Sequence, residues 1–276
     1  VFFLLEIALA AHYKAFFCFF RRPHIVYNAA FFRNGHPAML AVIGGSGLTH
    51  IPELEITGRR IVRTPYGLPS APLLFGRVSG CEILFLARHG LNHSLAPHEI
   101  NYRANIWALR EAGAEEIVAV SAAVSLDDTL PAGALVLPHD LIDYTCGRAA
   151  TFFECDGREV VRTDFTEPYD PRLRQALLDH AAERAAPLLP HAVYACIQGP
   201  RSPTRAEARR LRQDGADIYG MTGMPEAVLA REARLPYACL CGIVAAACDP
   251  DPQQRERHSR DTIAQIRRLL ADWPHA

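Results

Sequence analysis

Lysine is almost missing from this chain: of 29 basic residues Lys14 alone is a lysine, and every other one is an arginine. Lys14 lies in a segment set apart below, so chemistry that needs an amine at the site is excluded, whether a P-loop contact to ATP, a Schiff base or a lysine general base. An excess of either charge is missing too, with 30 acidic residues and a formal net charge of −1. Such a chain has no broad positive field to gather nucleic acid or an anionic membrane surface, and neither is expected as a partner. The eight cysteines (Cys18, Cys81, Cys146, Cys155, Cys196, Cys239, Cys241 and Cys248) include no C-x-x-C pair and no clustered histidines to complete a tetrahedral metal site. They read as buried free thiols, which fit a reducing compartment and predict a cytoplasmic location. No G-x-S-x-G elbow occurs, which excludes the serine hydrolases built on one.

What is present is the composition of a folded protein, 276 residues with 50% hydrophobic and 21% charged side chains. At this length one α/β domain buries roughly three quarters of the surface its unfolded chain exposes, so neither a disulfide nor a structural metal is required. Residues 1–38 stand apart: they are rich in phenylalanine, keep no clean helical or strand period, and precede Met39, the first methionine. Glu6, His12 and Lys14 interrupt the apolar run from Val1 to Phe20, which disfavours a membrane span, and the order of a signal peptide is lacking. The expectation is a natural start at Met39, with 1–38 a non-native or loosely ordered extension and 39–276 the folded domain.

From Met39 the pattern alternates. MLAVIGGSGL predicts an apolar strand entering a glycine-rich turn that lets backbone N–H groups approach an anion. CEILFLARHG predicts a buried strand ending in Arg88 and His89, and NYRANIWALREAGA a helix with apolar residues every three or four positions. EEIVAVSAAVSL reads as a strand ending at Ser121, and GALVLPHDLID as another that Pro138 places at an edge or breaks. A helix (PRLRQALLDHAAERA), a strand (HAVYACIQGPR), a helix (TRAEARRLRQDG), a strand (ADIYGMTG), a helix (PEAVLAREA), a strand (LPYACLCGIVAAA) and a last helix (DTIAQIRRLLADW) follow. Strands alternating with helices predict an α/β domain, and no composition break marks a second domain after Met39.

In such folds ligands gather beyond the carboxyl ends of strands, where Ser46, Arg88, His89, Ser121, Met221 and Thr222 all fall. Glycine turn, hydroxyls, arginine and histidine together suit a tetrahedral oxyanion, and phosphate is the ligand they point to. Taken singly, Ser46 serves equally to tighten a turn, Arg88 to pair with a helix, and His89 to fill the core. A dinucleotide reading fails, because VIGGSGL has the wrong glycine spacing and Glu53 and Glu55 come too early to meet a ribose.

The motifs VIGGSGL, TPYGLPSAPLLFG, LFLARHG, NYRANIWAL, QGPR and MTGMPEAVLARE stand in order between Met39 and Tyr237. Together they resemble the methylthioadenosine phosphorylase group of the purine nucleoside phosphorylases, in particular its bacterial S-methyl-5'-thioinosine phosphorylase branch. The resemblance implies one α/β domain with a central mixed, partly barrel-like sheet flanked by helices, and a homotrimer with sites near subunit interfaces. It also implies phosphorolysis of a purine nucleoside, S-methyl-5'-thioinosine or methylthioadenosine, to free base and 5-methylthioribose 1-phosphate. Inorganic phosphate is the co-substrate, and neither metal nor cofactor takes part. Carried over, Ser46, Arg88, His89, Ser121, Ala122 and Thr222 are the phosphate-binding residues. Met221 packs under the ribose, and Ala123, Val124, Ser202 and Ala245 line the ribose and base.

The chain departs from the family on the base side. Where relatives place an Asp or Asn against the purine N7, Ala245 stands, so no catalytic side chain is certain. Asp249 and Asp251 restore an Asp-x-Asp spacing four residues on, but a four-residue slip would displace every inward side chain of a buried strand. Val124 replaces a family glycine, and Ser202 an apolar or aromatic residue. His258 reads as an exposed histidine ahead of the last helix, with contact to a 5'-hydroxyl as the alternative. Two readings follow besides the active enzyme with a rearranged base pocket: an impaired paralogue that binds nucleoside or phosphate, and a general purine nucleoside phosphorylase.

Overall fold

In the computed structural model, residues 39–45, 48, 53–154, 160–247, 251–271 and 273 are described. The proposed extension over 1–38, Ser46 and Asp249 lie outside them.

Four apolar runs make the centre of the sheet. Strand β1 (Leu40–Gly44) lies parallel between β4 (Cys81–Ala87) and β5 (Glu116–Ser125), with Leu40 opposite both Ile83 and Glu116. The fourth run, β11 (Tyr237–Ala246), is parallel to β5 along its other edge. Near-continuous burial of β1, β5 and β11 is what parallel strands covered on both faces require. Beyond β4 the sheet is extended by β3 (Leu73–Val78) and β2 (Glu55–Arg60), an antiparallel pair absent from the sequence reading. Almost every β2 side chain is exposed, so that strand has no apolar alternation to reveal it.

The expected strand over GALVLPHDLID is two, β6 (Leu135–Val136) and β7 (Asp140–Tyr144), parted at Pro138. Strand β6 joins β11 to β8 (Leu188–Leu189), whereas β7 pairs with β9 (Val193–Ile197) and β9 with β10 (Ile218–Gly220). The result is one mixed sheet of eleven strands that branches at β5.

Helices flank it with local caps. Asn101 accepts from the Ala104 N–H to start α1 (Tyr102–Glu111), and Asp170 does so for Leu173 ahead of Pro171 in α2 (Pro171–Glu183). Thr204 and Glu207 close a reciprocal capping box on α3 (Arg205–Gln213). Helix α4 (Glu226–Glu232) follows β10. The last helix, α5 (Pro252–Ala271), begins nine residues before the expected Asp261. Asp251 caps it by accepting from the Gln253 and Gln254 N–H groups at 2.9 and 3.2 Å.

The branch point shapes the site. One edge of β5 pairs with β1 only as far as Ala119, and β10 takes up that edge antiparallel at Val124. Ser121 therefore sits in the middle of β5 and not at its end as expected, because β11 carries the strand onward to Ser125. Val120 and Leu126 turn backbone groups to the β1/β10 edge, where Val120 O accepts from Arg88 and Leu126 N–H donates to Asp217 O. By the two-residue pleat, Ala122 turns its N–H to the same edge, between the two partner strands.

Candidate active site

Arg88 follows the apolar run of β4 and is buried. Its Nε and Nη2 donate to Glu226 Oε2 at 2.6 Å and Oε1 at 2.8 Å, while Nη1 donates to Val120 O at 3.2 Å. Tyr237 OH donates to Glu226 Oε1 at 2.9 Å, so the carboxylate is held from both β4 and β11. Burial alone would lower the Arg88 pKa, but the Glu226 charge and hydrogen bonds outweigh it and hold the guanidinium above its ordinary value. Among the described residues, one hydrogen on each terminal nitrogen has no partner and is left for a ligand. Gly45 lets this happen: a Cβ there would stand 2.3 Å from Val120 O and 3.1 Å from Arg88 Nη1. The expected glycine turn, Arg88 and the open edge of β5 thus meet.

His89 lies beside them, its Nδ1 2.8 Å from Leu95 O. A carbonyl only accepts, so Nδ1 carries the proton and Nε2 is an acceptor. Burial first, then Arg88 and His93, push the imidazole down to about 4 against the partial support of Leu95 O. His89 is neutral at pH 7.

Ser121 and Thr222 come together over a tyrosine. The Tyr194 hydroxyl, fully buried, is 3.5 Å from both Ser121 Oγ and the Thr222 backbone N. Its ring passes between Gly220 and Gly223, where a Cβ would fall 2.1 Å from the hydroxyl and 2.9 Å from Cε1. Met221, half-buried, rests on Gly199, where a φ of +62° and a Cβ position only 2.6 Å from Met221 Sδ leave no room for a side chain.

The base side is apolar. Ala245 is fully buried with Val124, Leu126, Tyr219 and Val244. A register shift between Ile243 and Ala245 sets Ala245 opposite Val124, with Ile243 opposite Ala123. Among the described residues no carboxylate or amide stands at that strand end, and Asp251 is engaged as the α5 cap. Ser202 is exposed, and no hydrogen bond joins its side chain to the other described site residues. His258 is not ahead of a helix as expected but within α5, half-buried, 3.9 Å from the Cβ position of Gly133.

Of the five described cysteines, all free, Cys196, Cys239 and Cys241 are buried as expected, whereas Cys81 is half-buried and Cys146 exposed. Among the described residues no cluster of three metal-ligating side chains occurs and no helix is long and apolar enough to cross a membrane. The sequence reading missed Glu226, Tyr194 and Arg148. Glu226 alone carries a local signal, an acid standing directly ahead of the apolar run AVLA.

The family model for the phosphorylase superfamily matches residues 39–271. The chain belongs to the phosphorylase superfamily. Within it, the chain is 47% identical over 232 residues, 84% of this chain and 92% of the relative, to a probable S-methyl-5'-thioinosine phosphorylase of Pseudomonas syringae pv. tomato. It is 45% identical over 222 residues, 78% and 82% of the two chains, to a probable 6-oxopurine nucleoside phosphorylase of Thermococcus kodakarensis. Its fold is that of the Schistosoma mansoni methylthioadenosine phosphorylase solved with adenine, at a TM-score of 0.80 and 31% identity over 85% of this chain and 90% of that one. The mixed α/β fold read from the motifs is therefore the superfamily's own.

Proposed function

We propose that this chain is a pentosyltransferase that cleaves a purine nucleoside by phosphorolysis, with S-methyl-5'-thioinosine as first substrate and methylthioadenosine as second. The observation that carries the reading is the buried Arg88 guanidinium, aimed by Glu226 at the open edge of β5 beside Gly45. Ser46, Arg88, neutral His89, Ser121, the Ala122 N–H and Thr222 hold inorganic phosphate. Met221 supports the ribose, and Ala123, Val124, Ser202 and Ala245 border the ribose and base.

In this reading an oxygen of hydrogen phosphate forms a bond to the anomeric carbon as the glycosidic bond breaks; the base leaves with the bonding electrons and takes up, through water, the proton that the phosphate gives up. Positive charge grows on the sugar above a fixed dianion, so positioning and electrostatics lower the barrier without cofactor or metal. Ala245 offers nothing to the leaving base, and the electrostatic contribution from below bears more of the catalysis. The enzyme acts in the cytoplasm as a homotrimer, for which light scattering should return three times the chain mass.

The test is to incubate the protein with methylthioinosine, methylthioadenosine, inosine and adenosine, with and without phosphate, and to follow free base by chromatography. Phosphate-dependent release from a methylthio nucleoside supports the reading. Release from inosine alone makes the chain a general purine nucleoside phosphorylase, to which its 6-oxopurine relative is a pointer. Saturable binding without release makes it a nucleoside- or phosphate-binding paralogue, the reading that the apolar surroundings of Ala245 favour.

A further inference from the structure

We propose that Arg148 is the positioning residue of this site, a single guanidinium that fixes the turn carrying Met221 and Thr222 to the strand end carrying Gln198. The inference rests on Met221 and Thr222 being the sugar and phosphate contacts.

Arg148 comes from the segment after β7, remote in sequence from everything it holds. Its Nη1 donates to Met221 O at 2.9 Å and to Met224 O, and its Nη2 donates to Gln198 O at 2.8 Å. The two methionine carbonyls bracket Thr222 and Gly223, so both ends of that turn are held by one atom. Gln198 precedes Gly199, the residue against which Met221 Sδ rests. The guanidinium also lies over the Tyr102 ring, 5.5 Å from its centroid, with Nη1 3.3 Å from the hydroxyl. That hydroxyl donates to Pro97 O at 2.8 Å, and Pro97 abuts Gly199. Arg148, Tyr102, Pro97 and Gly199 thereby form a closed ring behind Met221.

Converging carbonyls need a donor that reaches all of them, and only a planar fork does so from one side chain. Without it the carbonyls would turn toward other partners, and Thr222 would move with the backbone that carries it. Arg148 touches no reacting atom in this arrangement, so its effect passes through the geometry of the turn. The same segment has a second anchor: Glu232 accepts from Thr151 Oγ1 at 2.8 Å and from the Phe152 N–H at 2.7 Å. Glu232 makes none of these contacts to Met221, Met224 or Gln198, and it serves as a control for loosening the segment alone.

The test compares Arg148→Met, Arg148→Lys and Glu232→Gln with the wild-type chain. Arg148→Met should raise KM for both phosphate and nucleoside by about tenfold or more, with a smaller fall in kcat, as expected when ground-state positioning is lost. Arg148→Lys keeps the charge without the fork and should recover only a minor part. Millimolar guanidinium ion should restore the KM values of Arg148→Ala and leave the wild type unimproved. Glu232→Gln should lower Tm while both KM values stay within about twofold. A folded Arg148→Met with unchanged KM values, or a Glu232→Gln that raises them equally, would overturn the proposal.

The Tm shift caused by inorganic phosphate supplies a readout that needs no turnover. It should be present in the wild type and much reduced in Arg148→Met, and equal shifts would overturn the assignment. A wild type that releases no base from any nucleoside overturns the phosphorolysis reading instead. A wild type without a phosphate shift overturns both.

Discussion

Arg88 and Glu226 form a two-point ion pair in which neither side chain is more than 1% exposed. The two charges cancel, so the proposed anion site would attract its ligand through aimed N–H groups more than through net charge. Such a pair contributes little against an apolar substitute, but removing one partner leaves a buried charge uncompensated.

Glu226→Gln should therefore lower stability by about 3 kcal/mol or more, the usual cost of breaking a buried pair. Urea unfolding with an unchanged slope checks this. Arg88→Ala should raise the phosphate KM by about a hundredfold while nucleoside KM moves less, since the lost contact is charge-assisted and directed at the anion. Equal effects on both substrates would count against the anion assignment.

Ala245→Asn tests the base side. An amide placed among Val124, Leu126 and Tyr219 lacks a partner until a base arrives, a cost of about 1–3 kcal/mol. The free variant should melt below the wild type, hypoxanthine should recover part of the loss, and turnover should rise. A variant that base neither stabilises nor accelerates would mean that the base is not recognised at this strand end.

Acid should weaken the fold through His89. The unfolded chain takes up a proton as pH falls through 6.5, whereas the buried ring resists until about 4. Protonation thus draws the protein toward the unfolded state across that window, and the contribution of this residue to stability is intact only above it. Tm should fall between pH 7 and pH 4.5, and less steeply in His89→Gln, where the group is gone. A slope unchanged by the substitution would show that other residues set the acid limit.

Gly220→Ala should be far more damaging than Tyr194→Phe. The first drives a methyl to 2.1 Å from the Tyr194 hydroxyl, an impossible contact, and should abolish stable folding or displace the ring. The second removes only an oxygen with two 3.5 Å neighbours, and should raise phosphate KM by a few-fold through Ser121 and Thr222. Thermal melts and phosphate titrations of the two variants distinguish them.

Much of this was legible in the chain alone. The runs of β1, β4, β5 and β11 are long and apolar, and Arg88 and Thr222 each lie just past a strand whose end a local pattern marks. Ser121 was misplaced because nothing in SAAVSL signals that β11 continues the pairing after β1 has stopped. The start of α5 was missed because DPDP reads as loop, although Asp followed by Pro is also how a helix begins. Arg148 had no local signal at all: its partners are 46 to 76 residues away, and only the folded chain brings three carbonyls to one guanidinium. Glu226 differs, since an acid directly ahead of the apolar run AVLA of α4 needed only the question of which cation it meets.

Strand β5 passes from one neighbour to another, and between Ala119 and Val124 no strand of the described residues lies along that edge. Val120 gives its carbonyl to Arg88, and Ala122 turns its N–H to the same side. Under the proposed function, an anion seated there would stand in for a strand, supplying the rung that the ladder lacks and joining the β1 half of the sheet to the β10 half. Substrate would then be briefly a part of the secondary structure, and each turnover would open and close one rung of the sheet.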